Sequence, residues 1–185
     1  MLDAMSHESD FEVRRHALIA EITAAFRGVS RDGGTTLHEA DAIDARKSSD
    51  EQSAARRLDL ETRWQDVREE DIFACREALS FLDEKGFRYY IPAFMICGLR
   101  HWKEQSHLTS YEASVILSTS EYHLLHDYPK SLRASEPASI ASKYQFTGAQ
   151  SRAVARFLRL IIDFDEVSAD KATVEAVHRW ENYAI

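Results

Sequence analysis

The sequence predicts an all-α protein, a single irregular domain of about six to eight helices over residues 1–185. Three observations carry that reading. Apolar residues recur at three- and four-residue intervals through most segments. A Thr followed three residues later by Glu or Gln, the signature of a helix start, occurs at Thr36/Glu39, Thr109/Glu112 and Thr147/Gln150. Only six glycines and three prolines punctuate 185 residues, so few turns are forced.

The elements follow in chain order. Between Asp10 and Phe26, Phe11, Val13, Leu18, Ile22 and Phe26 fall at helical spacing, and Gly28 ends the run. "VSRDGG" reads as a loop, and Thr36 starts a helix to about Arg46. A polar stretch predicts a short exposed helix from about Asp50 to Glu61. "DIFACREALSFLDEKG" carries Ile72, Cys75, Leu79 and Leu82 on one face, with acids at its start and Gly86 at its end. Read as a left-handed cap, Gly86 brings Phe87 back onto Leu82. "FRYYI" then runs extended, because a residue before proline disfavours helix, and Pro92 opens the next helix. Thr109 and Glu112 could cap a helix, yet "SVIL" is β-branched and permits a short strand near residues 114–118. Residues 131–146, rich in Ser and Ala with Pro137, predict an exposed loop. Thr147 starts a helix carrying Val154, Phe157 and Ile161, and Ser168 caps a last one with Val174, Val177 and Trp180.

Charge and composition exclude several function classes. Acidic residues outnumber basic ones by 31 to 23, and a net charge of −8 repels phosphate backbones, so no nucleic-acid partner is expected. The N-terminus lacks a basic region followed by an apolar one, and the longest uncharged apolar run, Tyr89–Leu99, is too short to span a bilayer. A cytoplasmic protein without membrane association is expected. Cys75 and Cys97 lie in apolar stretches outside any CxxC pair and read as small buried hydrophobes.

Motifs that carry chemistry are sparse. Glu104/His107 and Glu175/His178 have the Glu-x-x-His spacing of helical di-iron proteins, but chance supplies about one such pair at this composition. His123 and His126 would share a helix face without a third zinc ligand in sight, and read as surface histidines near a helix end. "HEAD" at His38 is no zincin motif, since Ala42 stands where a second histidine is required. No GxSxG, SxxK or phosphate-binding loop occurs. No metal, cofactor or catalytic residue is therefore assigned. The three tryptophans, Trp64, Trp102 and Trp180, sit beside charged residues and suit anchors at the rim of a core.

Five residues are binding candidates. In an extended "FRYYI", Arg88 and Tyr90 face one way and could line a groove for a carboxylate, a phosphate or an acidic partner residue. Asp83 is near enough to pair with Arg88. Asp41 and Asp44 share a face of the second helix, where they could act as an acid/base pair or a Mg²⁺ site, or pair with Arg63 or Arg88.

The pieces "FRGV", "TLHEADAID", "WQDV", "LSFLDEKGFRYYIPAFM" and "TGAQSRAVARFL" together resemble an uncharacterised bacterial family, domain of unknown function 6714. They span the chain from about Phe26 to Leu158. The resemblance implies a mainly helical bacterial protein and no particular activity. Size, acidity and the missing catalytic motifs point to a non-catalytic protein-binding domain of immunity or accessory type, with another protein as partner. The alternative is an enzyme using Asp41, Asp44, Asp83 and Arg88, with or without a divalent metal.

Overall fold

A computed structural model describes residues 2–102, 107–126, 135–164 and 170–184. These residues form nine α-helices and two 3₁₀ turns, without a strand. The α-helices are α1 (Leu2–Ala25), α2 (Leu37–Asp44), α3 (Ser49–Arg56), α4 (Glu69–Ala74), α5 (Glu84–His101), α6 (His107–Leu125), α7 (Pro137–Lys143), α8 (Gly148–Phe164) and α9 (Lys171–Tyr183). The 3₁₀ turns cover Trp64–Asp66 and Ala78–Ser80. Among the described residues no helix is long and apolar enough to cross a membrane.

Helix α5 is the axis of the fold. Every residue from Tyr89 to Leu99 is buried, so the helix is enclosed on all sides rather than laid along one face. Helix α6 packs most extensively on it, with Leu117 against Gly98, where an added Cβ would come within 2.8 Å of the leucine side chain. Helix α1 runs beside α5 and caps its end: Arg15 donates to the Leu99 and Arg100 carbonyls at 3.1 and 3.0 Å, a cation at a helix C-terminus. Helix α8 packs between α1 and α9, tied by Arg14–Asp163, Arg156–Glu21 and Arg159–Glu181 ion pairs. Trp64 and Trp180 are buried and donate their indole N–H groups to the Phe26 and Leu124 carbonyls at 2.9 and 3.0 Å. Trp102, half-buried, sets its ring edge against Phe11.

Several sequence expectations hold at residue level. Thr36 precedes α2, and Glu39 accepts from its N–H at 3.1 Å. Thr147 and Gln150 satisfy each other's backbone N–H groups at the start of α8. Both cysteines are buried and free.

Others are corrected. The segment "FRYYI" is helical, and Pro92 lies inside α5 rather than at its start. Asp83 decides this: its Oδ1 accepts from the Gly86 N–H at 2.8 Å, making it the N-cap of α5. Gly86 therefore opens a helix instead of ending one, and the predicted helix from Asp71 to Gly86 breaks into α4 and a 3₁₀ turn. Pro92 deprives the Arg88 carbonyl of its intrahelical donor, a cost that burial of the flanking residues outweighs. The possible strand at 114–118 is part of α6, because β-branched residues pack against α5 without a strand partner. The loop predicted over 131–146 contains α7, with Pro137 at its first turn and Pro137, Ile140 and Ala141 buried; residues 131–134 lie outside the described residues. Helix α3 ends at Arg56, short of Glu61. Asp170 caps α9 through the Ala172 and Thr173 N–H groups, and Ser168 lies outside the described residues.

Gly86 and Gly34 meet backbone to backbone. A Cβ on Gly34 would lie 2.6 Å from the Gly86 nitrogen, and one on Gly86 would fall against the Thr35 carbonyl oxygen. Helix propensity alone would make Gly86→Ala stabilising by about 1 kcal/mol. The contact reverses that sign: Gly86→Ala is expected to destabilise by about 1–3 kcal/mol, as overpacking does. Urea unfolding of the two proteins checks the sign.

Candidate functional site

Two non-helical stretches, residues 27–36 and 57–63, lie over the first half of α5. The second has inverted polarity. Leu58 and Leu60 point outward, 62% and 83% exposed, while Asp59 is 6% exposed and the Glu61 side chain is largely enclosed. Trp64, anchored to the Phe26 carbonyl, fixes the end of this stretch against the end of α1.

Tyr90 explains the inversion. Its ring is fully buried, and its hydroxyl needs a partner there. The hydroxyl donates to Glu61 Oε1 at 2.6 Å and accepts from Arg31 Nη1 at 2.8 Å. Arg31 Nη1 also reaches Glu61 Oε1 at 2.9 Å, and Nη2 reaches the Asp59 carbonyl at 3.4 Å. The guanidinium lies over the Tyr89 ring, 5.6 Å from its centre. Burial, and then the Glu61 carboxylate, push the Tyr90 phenol far above the ordinary tyrosine range. Burial opposes the Arg31 charge, but Tyr90, Glu61 and Tyr89 together hold its pKa above the ordinary value.

Asp59 is locked separately. Its Oδ2 accepts from the His38 backbone N–H at 2.9 Å, and its Oδ1 lies 2.7 Å from His38 Nδ1. The other ring nitrogen stands 3.8 Å from Asp71, which Arg68 grips with two hydrogen bonds of 2.7 and 2.8 Å. These links join the start of α2, the 57–63 stretch and α4. Sequence reasoning did not find Arg31, His38, Asp59 or Glu61 as a set. The trace they leave is the alternation in "RLDLET", which ordinarily argues leucines inward and acids outward.

The five predicted residues do not converge. Tyr90 belongs to the Arg31–Glu61 network. Two residues on along a helix is a rotation of about 200°, so Arg88 lies on the opposite side of α5 from Tyr90, not beside it. The Arg88 Nε is buried without a hydrogen-bond partner among the described residues. Asp83 does not pair with Arg88; its Oδ1 holds the Gly86 and Thr35 N–H groups at 2.8 and 3.0 Å. Asp41 and Asp44 are exposed on α2, and Arg63 pairs with Asp66 instead of either.

No group of three potential metal ligands occurs among the described residues. Glu104 lies outside them, while Glu175 pairs with Lys171 and His178 with Glu181. Both thiols are pushed up to about 12, chiefly by burial, and then by Asp41, Asp59 and Asp71 for Cys75 and by Glu69 for Cys97. Neither is a thiolate at neutral pH.

Two clefts remain. One, of about 380 Å³, opens at the start of α5 and includes Ser80, Lys85, His123 and Lys143. His123 is a correction to the surface reading: it is 3% exposed, and its Nε2 lies 3.1 Å from Ser80 Oγ. Burial, then the nearby Lys143 and His126, push its pKa down to about 4. The other cleft, of about 450 Å³, lies between residues 27–30 and 62–65 and is lined by Arg27, Ser30, Thr62, Arg63 and Gln65.

Two expectations follow. Tyr90→Phe removes both hydrogen bonds of the buried hydroxyl, the one donated to Glu61 and the one accepted from Arg31, so unfolding experiments should show a loss of about 1–3 kcal/mol. For His123, the folded pKa lies below the value of about 6.5 in an unfolded chain. The unfolded state therefore takes up the proton first. The neutral ring's contribution is complete above about pH 6.5, declines as pH falls, and is gone by about pH 4. In NMR the His123 ring signals should not titrate between about pH 8 and 5, and His123→Asn should flatten the loss of stability across the lower window. A ring titrating near 6.5 would contradict the burial.

The family of unknown function DUF6714 has a sequence profile that matches residues 14–184. No curated protein and no solved structure matches the chain. The profile takes in α2, the inverted stretch, all of α5 and both clefts, and the chain thus belongs to the DUF6714 family.

Proposed function

We propose that the chain is a non-catalytic protein-binding domain, of immunity or accessory type, that contacts its partner through Leu58 and Leu60. The observation that supports this is the inverted stretch itself. Two large apolar side chains stand in solvent while the residues between and beside them are fixed by buried bonds to His38, Tyr90 and Arg31. The leucines are thus presented by a backbone with little freedom left to lose on association, which favours affinity. Leucines placed singly on a surface need no explanation, but two on one rigid seven-residue stretch form a patch. On this reading Tyr90 and Asp83 serve the fold. Asp41 and Asp44, exposed on α2, are candidates for polar contacts with the partner.

A hydrolytic reading has one observation in its favour, the Ser80–His123 pair in the cleft at the start of α5. Catalysis at neutral pH wants a base with a pKa near the working pH, and His123 lies well below it. A fluorophosphonate probe should therefore leave Ser80 unlabelled. Labelling that disappears in Ser80→Ala would replace the binding reading with a serine hydrolase.

The binding reading is tested by photo-cross-linking in the native host, with benzoylphenylalanine at position 60 and, as control, at exposed position 53 on α3. A discrete adduct with one partner protein is expected at 60 and not at 53. The same pattern at both positions, or none at 60, sinks the proposal.

A further inference from the structure

We propose that the cleft lined by Arg27 and Arg63 receives acidic side chains of the protein that covers Leu58 and Leu60, so that the partner's contact segment alternates apolar and acidic residues. The inference rests on the binding reading above and names the chemistry of its partner.

The cleft is rich in donors and poor in acids. Its walls carry two guanidinium groups, the Ser30 and Thr62 hydroxyls and the Gln65 amide, and no carboxylate lines it. That composition runs against the chain as a whole, where 31 acidic residues face 23 basic ones. Arg63 is held upright by a two-pronged bond to Asp66 at 2.6 and 2.7 Å, which fixes its plane. The Arg27 side chain has no ion pair or hydrogen bond among the described residues. A guanidinium without an internal carboxylate suits an external one, and its fork matches a carboxylate's two oxygens.

Position ties the cleft to the leucines. Thr62 and Arg63 continue the stretch that holds Leu58 and Leu60. Three residues of extended chain span at most about 10 Å, so a short extended peptide lying along the stretch reaches both features. A partner that supplied only apolar groups would leave Arg27 unpaired at the contact edge and Arg63 with Asp66 alone, which is unfavourable where they lose water. A basic partner would meet them with like charge.

The test uses the full chain and three fluorescein-labelled peptides: one alternating Leu and Glu, one alternating Leu and Lys, and one alternating Ser and Glu. Fluorescence anisotropy should show the Leu–Glu peptide binding more tightly than either counterpart. Raising salt from 20 to 300 mM should weaken it, because the contact is ionic. The variant Arg27→Gln/Arg63→Gln should lower its affinity by roughly tenfold or more, the loss of two charge-assisted contacts. All these positions are exposed, so the variants should melt with the parent.

Binding that falls with Leu60→Ser but is untouched by the arginine changes overturns the acidic-partner inference and leaves the binding reading standing. Equal binding of the Leu–Glu and Leu–Lys peptides, or no salt-sensitive binding of the Leu–Glu peptide, overturns it as well. Displacement by millimolar inorganic phosphate would reassign the cleft to a free phosphate ligand, also against the inference. Failure of the cross-link at position 60 removes the binding reading independently of any peptide result.

Discussion

The buried hydroxyl of Tyr90 sets the conditions for the rest of the structure. Enclosing α5 on all sides places a phenol where water cannot reach it, and an unsatisfied hydroxyl there costs free energy on the scale of a lost hydrogen bond. Glu61 supplies the acceptor, and a carboxylate in that position in turn requires a cation, which Arg31 provides from the opposite stretch. Once Glu61 turns inward, the alternation of an extended chain turns Asp59 inward too, and His38 takes it up. Leu58 and Leu60 are then left on the outside. The exposed patch is thus a consequence of satisfying the interior as much as a feature of the surface.

The second constraint is steric. The start of α5 and the 33–35 turn approach so closely that each position admits only glycine. Asp83 serves both sides of the seam, taking the Gly86 N–H as helix cap and the Thr35 N–H across it. One carboxylate oxygen therefore fixes where α5 begins and how the long connection before α2 is seated. Arg56 closes the same seam from α3 by donating to the Gly33 and Gly34 carbonyls at 2.9 and 3.0 Å.

Much of the helical architecture was legible because it is written locally. Periodic apolar residues mark α1 and α8, and the Thr36/Glu39 and Thr147/Gln150 pairs mark two helix starts. The reading failed where two local signals compete. "LDEKGF" supports both a glycine that ends a helix and an aspartate that begins one, and tertiary burial chose the aspartate. Pro92 within α5 and Pro137 at the head of α7 depart from the local signals for a related reason, and the β-branched run in α6, open to helix or strand, settles as helix: propensity is weak beside packing. The candidate site was hardly legible at all. Its members, Arg31, His38, Asp59, Glu61 and Tyr90, come from four separate segments. Their one local trace, alternating leucine and acid, points the wrong way unless the partners of the acids are already known. His123 was equally hidden, since a histidine near a helix end gives no sign that Ser80, 43 residues away, will enclose it.

The seam between Gly34 and Gly86 bears on how such a chain can drift in sequence. Where two bulky residues touch, a gain on one side can be absorbed by a loss on the other. Here neither partner can shrink further, so the usual compensatory exchange is closed and the two positions are locked together. The same lock holds the length of the connection between α1 and α2, because an inserted residue would carry Gly34 off its counterpart. Leu58 and Leu60 have no such tether and remain open to change. A lineage can thus retain its scaffold while exchanging the residues it shows to the outside.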